Sequence, residues 1–535
     1  MSAYISVLSF LLLLLPAGST DRNIPTLNQT ASPEAKAHFD KGLLLLHNFE
    51  YPDAAEEFIL AQQKDPGFVL AYWGEAMTYD HPVWRDLDID KSRTALKKFG
   101  DNPSDRLSKA RTDLEKDFVQ GVNILFGDGS KPDREKAYAE HMASLYQTYP
   151  DNHDVAAFYA LSLLAIKKGW NEWEDYNVQA QQITRSILKK EPDHAGALHY
   201  LIHADDHPHH ANDGLEAAKK YAIVASYAGH ALHMPSHIYL ALGMWDEEVK
   251  SNEVAWQASQ DRVKRKNLSM DELSYHAHLW LEYGYLQQGR FQRAEELINN
   301  QVKYVEQSPS AAARLHLLQM KGHYLFTTNN WNSVLAALPV KADDLDAAFY
   351  FTSLFLDGYN LFQQSKGEEL KKVISLLDKE LAKAKQLQQE GEDIPVCGVT
   401  RYTNNRPTEQ DIKTGTRCLN ELNGLNAWLS KDMNAADGYF RSALPKEGSV
   451  VIGPPFFLIS PYEVYGNFLM ANNQYTEALQ QFNKALHASP NRYIGLKGKL
   501  AAAKVLKDSA AEAEVKKQLQ QNLKTADAAA TQGLW

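Results

Sequence analysis

Residues Lys36 to Pro66 read KAHFDKGLLLLHNFEYPDAAEEFILAQQKDP, and the spacing of small, aromatic and breaker residues in this stretch decides the fold. Gly42, Ala54 and Ala61 are small enough to let two helices approach closely. Phe58 is placed to fill the gap to the following pair, and Pro66 ends the second helix because it has no N–H to donate. The arrangement returns near the other end, in Tyr465 to Pro490, YGNFLMANNQYTEALQQFNKALHASP, with Gly466, Tyr475, Ala478, Phe482, Ala485 and Pro490 at matching places. Looser copies lie between, in YLALGMWDEEVKSNEVAW (239–256), YGYLQQGRFQRAEELI (283–298) and FYFTSLFLDGYNLFQQ (349–364). Each is an apolar helix, a glycine or polar turn, and a second helix.

A period of this kind signals a solenoid, in which each hairpin buries its apolar face only against its neighbours. The chain resembles the tetratricopeptide-repeat family over nearly its whole mature length, most clearly in the two stretches quoted. The resemblance implies an all-α, right-handed α-solenoid of TPR-like helical hairpins. Strand patterns are nearly absent; the best, SVVIGPPFF, is interrupted by two prolines. More narrowly, AYWGEAMTYDHPVW (71–84), HYLIHA (199–204) and HALHMPSHIYLALGMW (230–245) are similar to stretches in a group of secreted or bacterial repeat proteins. That similarity implies no particular activity.

Histidine is distributed unevenly. Eight of the nineteen histidines fall between His199 and His237, where even spreading would place about 1.4. His199 and His203 are spaced i, i+4, and His230, His233 and His237 are spaced i, i+3, i+7, so on helices each set forms a stripe along one face. The repeat resemblance implies that positions 2, 5 and 9 of each first helix line a concave groove. Its register puts His199 and His203 at positions 5 and 9 of one repeat, His230, His233 and His237 at positions 2, 5 and 9 of the next, and His276 at position 2 of the one after. Neutral imidazole is the commonest transition-metal ligand, and same-face pairs on neighbouring helices can converge on an ion.

The sequence therefore nominates His199, His203, His230, His233 and His237 as ligands of a divalent transition ion, zinc or copper, with His276 and Asp206 as weaker completers. Glu75 and His81, in the 71–84 stretch, are accessory candidates if the solenoid curls back on itself. The alternative from another class is a metal-free scaffold that binds a peptide or protein in the groove, with Trp256, Trp280 and Tyr283 as contacts. Catalytic residues remain unknown, since no Ser or Cys stands in a recognisable nucleophile setting; an enzyme built on this site would be a metal-dependent hydrolase or oxidase.

Residues 1–20, MSAYISVLSFLLLLLPAGST, have the form of a cleavable secretory signal, an apolar core of about ten residues followed by small ones. The core is shorter than the ~20 residues of a membrane span. The expected organisation is a linker at 21–32, the main solenoid at 33–390 with the histidine-rich repeats at 194–245, an irregular loop at 391–418, and C-terminal repeats at 419–535. A secreted chain with no membrane span after cleavage follows, and Asn28 (NQT) and Asn267 (NLS) are its candidate glycosylation sites. Cys397 and Cys418, the only cysteines, are read as one disulfide closing the irregular loop, with two buried thiols as the alternative. The net charge of −11, with basic residues scattered among acidic ones, disfavours nucleic acid as a partner.

Overall fold

Ser32 starts the first helix by accepting a hydrogen bond from the Ala35 N–H, Pro33 occupies its first turn, and the helix Pro33–His47 pairs with Tyr51–Lys64 as the first hairpin. A Cβ added at Gly42 would sit 3.0 Å from the Phe58 ring, and one at Gly74, in the next helix Val69–Met77, would collide with the same ring. One phenylalanine thus fills the space two glycines leave, as the repeat spacing requires. Phe482 does the same between Gly466 and Gly498, joining Pro461–Ala471, Tyr475–Ala488 and Tyr493–Leu506.

The structure, a computed structural model, describes residues 26–166, 173–207, 209–388, 407–446, 455 and 457–535. Helical hairpins run through all of these segments, so the fold is an all-α solenoid. Among the described residues the one sheet is a two-stranded antiparallel ribbon, Asp80–His81 with Asp86–Leu87. No described helix is long and apolar enough to cross a membrane. The secretory-signal reading of 1–20 lies outside the described residues, as do residues 21–25 of the 21–32 linker and Cys397 of the disulfide reading.

Three expectations are corrected. The stretch 391–418 does not stay irregular to Cys418, because Thr408 and Asp411 form a reciprocal capping box that starts the helix Glu409–Leu429, in which Cys418 is buried. The helix expected to carry His230, His233 and His237 is divided into Gly229–His233 and Pro235–Ala241, because Pro235 cannot donate to the carbonyl one turn back. Met234 stays in αR geometry at the join, so the three imidazoles keep a common side.

The third correction concerns the groove. Both ends of the solenoid dock on its middle. From the first hairpin, Asp53 accepts hydrogen bonds from Arg262 (2.6 Å) and pairs with Lys266 at 3.0 Å. From the last repeats, the Asn491 carbonyl accepts from Trp245 Nε1 (3.0 Å), Arg492 donates to the Tyr283 hydroxyl (2.5 Å), and the Tyr493 N–H donates to Gln287 (2.9 Å). Among the described residues the apolar core accordingly falls into a part spanning residues 27–204, a part spanning 249–534, a smaller part drawn from 188–244 and a minor one of Leu232, Ala255 and Ala277. The histidines lie where these parts meet, in the interior and not on an open concave face. Trp256, Trp280 and Tyr283, expected as groove contacts, are buried as well.

Candidate metal centre

Every residue of Ala195–Asp205 is buried, and its first turn is capped by His194, whose Nδ1 accepts from the Ala197 N–H. His199 and His203 project one turn apart from this helix, and His230 comes toward them from Gly229–His233. The Nε2 atom of His199 lies 3.1 Å from Nε2 of His203 and 3.2 Å from Nε2 of His230. A second trio stands beside the first. His233 and His237 bring their Nε2 atoms to 3.1 Å, and His276, from Tyr275–Gln287, completes a set whose ligand atoms all lie within 4.8 Å of one another. Two nitrogens bound at about 2.0–2.1 Å to one tetrahedral ion lie about 3.3 Å apart. The inward nitrogens therefore already stand at ligand spacing.

Hydrogen bonds on the outer side of the rings decide which nitrogen faces inward. His199 Nδ1 donates to the His47 carbonyl (2.7 Å), His233 Nδ1 to Asn252 Oδ1 (2.6 Å) and His237 Nδ1 to Asp206 Oδ2 (2.8 Å). Asn252 is itself oriented, because its Nδ2 donates to Glu248 Oε1 (2.7 Å) and to the Glu248 carbonyl (3.1 Å). In the neutral tautomers these bonds select, His199, His233 and His237 each present a bare Nε2 lone pair to the interior. The His233 and His237 lone pairs face each other at 3.1 Å, a repulsive contact that a cation between them would turn into an attractive one. Both nitrogens of His276 are buried without a hydrogen-bond partner.

The surroundings keep four of the rings neutral. Burial pushes His199 and His233 down to about 3 and holds His230 and His276 well below the ordinary imidazole value, with neighbouring histidines adding to the effect. Aromatic rings supply the burial. Phe49, whose backbone is held at φ 57°, packs on His199 at 4.3 Å between centroids and on His203 and His230 at 5.7 and 5.6 Å. Trp84 meets His230 edge-on, Tyr221 stacks on His199, and Trp280 contacts His233, His237 and His276.

The structure thus brings together all six nominated histidines, while Asp206 supports His237 from behind instead of facing the interior. Glu75 does not reach the centre. It is buried against its own repeats, accepting from Gln62 Nε2 (2.6 Å) and pairing with Lys98. His81 lies on the outer side, stacked on Tyr51 and beside Trp84. Asn267 is an exposed helix cap and Asn28 is half-buried, hydrogen-bonded to Asp40. Sequence reasoning missed His47, Phe49, Asn252 and Glu248. Only the Glu248–Asn252 pair carries a local signal, its i, i+4 spacing on Trp245–Lys266. A third cluster, His47–Asp154–His194, is a hydrogen-bonded support: burial raises the Asp154 carboxyl, but hydrogen bonds from His194 and His47 outweigh it and hold the group well below the usual carboxylate range, while burial lowers His47.

No family model matches the chain, and no curated protein matches it. Solved structures of helical-repeat proteins do align with it. Naa15/Naa10 bound to HypK-THB is 14% identical with a TM-score of 0.23, covering 89% of this chain, which spans 62% of that one. Yeast Tom70 is 10% identical with a TM-score of 0.32, over 91% and 99% of the two chains. The TPR domain of P58(IPK) is 13% identical with a TM-score of 0.21, over 89% and 99%. Likenesses of this size say nothing of ligand or activity.

Proposed function

We propose that this chain is a metalloprotein in which the buried histidine centre holds a divalent transition ion, zinc or copper, on a helical-repeat scaffold. The observation that carries this reading is the inward convergence of Nε2 atoms whose rings are fixed from behind by His47, Asn252 and Asp206, the outer-shell arrangement that orients metal-binding imidazoles. An all-imidazole shell suits zinc or copper and not the hard ions calcium and magnesium. The route to the ion fits the secretory signal read at residues 1–20, and we place the working protein in the secretory lumen or outside the cell.

The test is elemental analysis of protein purified without chelators and then offered zinc or copper at neutral pH. Near-stoichiometric metal is expected, and His233→Ala with His237→Ala should remove most of it. Wild-type protein that retains neither ion overturns the reading.

A further inference from the structure

The six histidines divide evenly, three to a set, and the sets touch. Within the first trio the ring centroids are 4.8, 5.1 and 6.5 Å apart; within the second they are 5.0, 4.7 and 6.0 Å apart. Between the trios, His203 lies 6.2 Å from His237 and His230 lies 6.3 Å from His233. These separations across the pair are close to the longest within the sets, 6.5 and 6.0 Å. Two ions held by such caps would be neighbours, in the manner of two-metal sites. Three imidazoles leave each ion one open direction.

Charge separates copper from zinc here. No carboxylate is among the six ligands: Asp206 is committed to His237 Nδ1, and Glu50 accepts from the His230 backbone N–H (2.9 Å). The walls are Phe49, Trp84, Tyr221 and Trp280. Two dications in this setting bring four positive charges into an interior where the two carboxylates bonded to ligand residues, Asp206 and Glu50, offset at most half of them. Two cuprous ions bring half that charge, and a soft monovalent copper accepts three imidazoles without a further ligand. Access is narrow as well: His199, His203, His233 and His237 are buried, while His230 and His276, one from each trio, are the two residues only partly buried. A ligand entering between the caps has to be small.

Resting on the metal reading above, we infer that the centre is a pair of facing copper sites, His199/His203/His230 and His233/His237/His276, whose shared ligand is dioxygen. Each cuprous ion gives one electron to the entering molecule. Dioxygen takes up the two electrons, its double bond becomes a single bond, and it lies as a dianion between two cupric ions. No proton is transferred, and release as dioxygen returns both electrons to copper.

The experiment uses the full-length chain, freed of metal, loaded anaerobically with cuprous ion and then exposed to oxygen. Two coppers per chain are expected, together with a new near-ultraviolet absorption that fades when oxygen is removed. The oxygenated form should lack most of the cupric electron-paramagnetic-resonance signal, because two adjacent cupric spins pair. His276→Ala should halve the copper content and restore one full spin per remaining copper after oxidation. His203→Ala should do the same from the other side. Circular dichroism checks that each variant is folded, and if the buried His203→Ala is not, the partly exposed His276→Ala and the unaltered protein decide the matter. Two coppers that each show full spin intensity, or a single ion with no oxygen-dependent absorption, overturn the paired-site inference while leaving the metal reading intact. Absence of bound metal overturns both.

Discussion

Between Pro461 and Leu506 one ring, Phe482, fills the space left by Gly466 and Gly498. Between Ala195 and Ala241 an apolar cluster that includes Leu198, Ile202, Tyr221 and Ile238 packs the helices, and imidazoles project from the same helices into the interior. The hairpin is the same, but the filling makes different demands. A phenylalanine needs only close contact, which repeat geometry supplies locally. A buried imidazole needs a partner for each nitrogen. The outer nitrogens of His199, His233 and His237 are satisfied by His47, Asn252 and Asp206, and their inner nitrogens face neighbouring imidazoles. The apolar repeat therefore needs only local packing, while the histidine repeats depend on groups brought from distant elements.

The strongest way to break this contrast is Phe482→Ala, which opens a cavity between two glycines and should cost about 3–5 kcal/mol in urea unfolding. Metal content should be unchanged as long as the protein is folded. A joint loss of stability and metal would show that the two regions are not separable.

Acid comes next. His323, outside the centre, is fully buried beside Glu282 at 3.9 Å, and burial with the nearby Arg492 guanidinium pushes it down to about 3. Its folded value lies below the unfolded one, so between about pH 6.5 and 3 the unfolded chain binds the extra proton and stability falls as pH falls. The slope is about 1.4 kcal/mol per pH unit, or about 3 kcal/mol by pH 4. Unfolding titrations should show a shallower pH dependence by that amount in His323→Leu. An unchanged slope would mean that His323 takes up a proton while folded. The same sign applies to the ligands: free histidine would lose metal below about pH 6, whereas His199 and His233 stay neutral well below that pH.

The smallest effect sharpens the contrast most. Asn252→Leu removes the acceptor behind His233 without touching the inner face, and metal affinity should fall about 10–100-fold. Competition with a chromophoric chelator measures it. A fall of similar size from Glu75→Gln, which lies away from the centre, would mean the support is not specific.

The repeat was legible because its determinants are close in sequence: Gly42 with Phe58 and Gly466 with Phe482 belong to single hairpins. The histidine stripes were legible for the same reason, being spacings within one or two turns. What was not legible depends on distant chain. The His47 carbonyl and the Phe49 ring arrive from about 150 residues before His199, and no local pattern marks them. Coil closure was hidden too, so a stripe consistent with an open groove is found buried. The local misses have local causes, Pro235 dividing one helix and the Thr408–Asp411 box starting another sooner than its turn-forming neighbours suggested.

The docking of both chain ends on the 243–290 stretch has a consequence in time. His47 and Phe49 sit over the first trio, and their hairpin is fastened to Trp245–Lys266 through Asp53 and Arg262. On the proposed metal reading, exchange of an ion beneath His47 and Phe49 would be slowed by that clasp. Residence is then governed by the opening rate of a sub-structure and not by the ligand bonds alone. Loosening the clasp with Arg262→Ala shortens residence while every histidine stays in place, and loading becomes a step that belongs to folding as much as to binding.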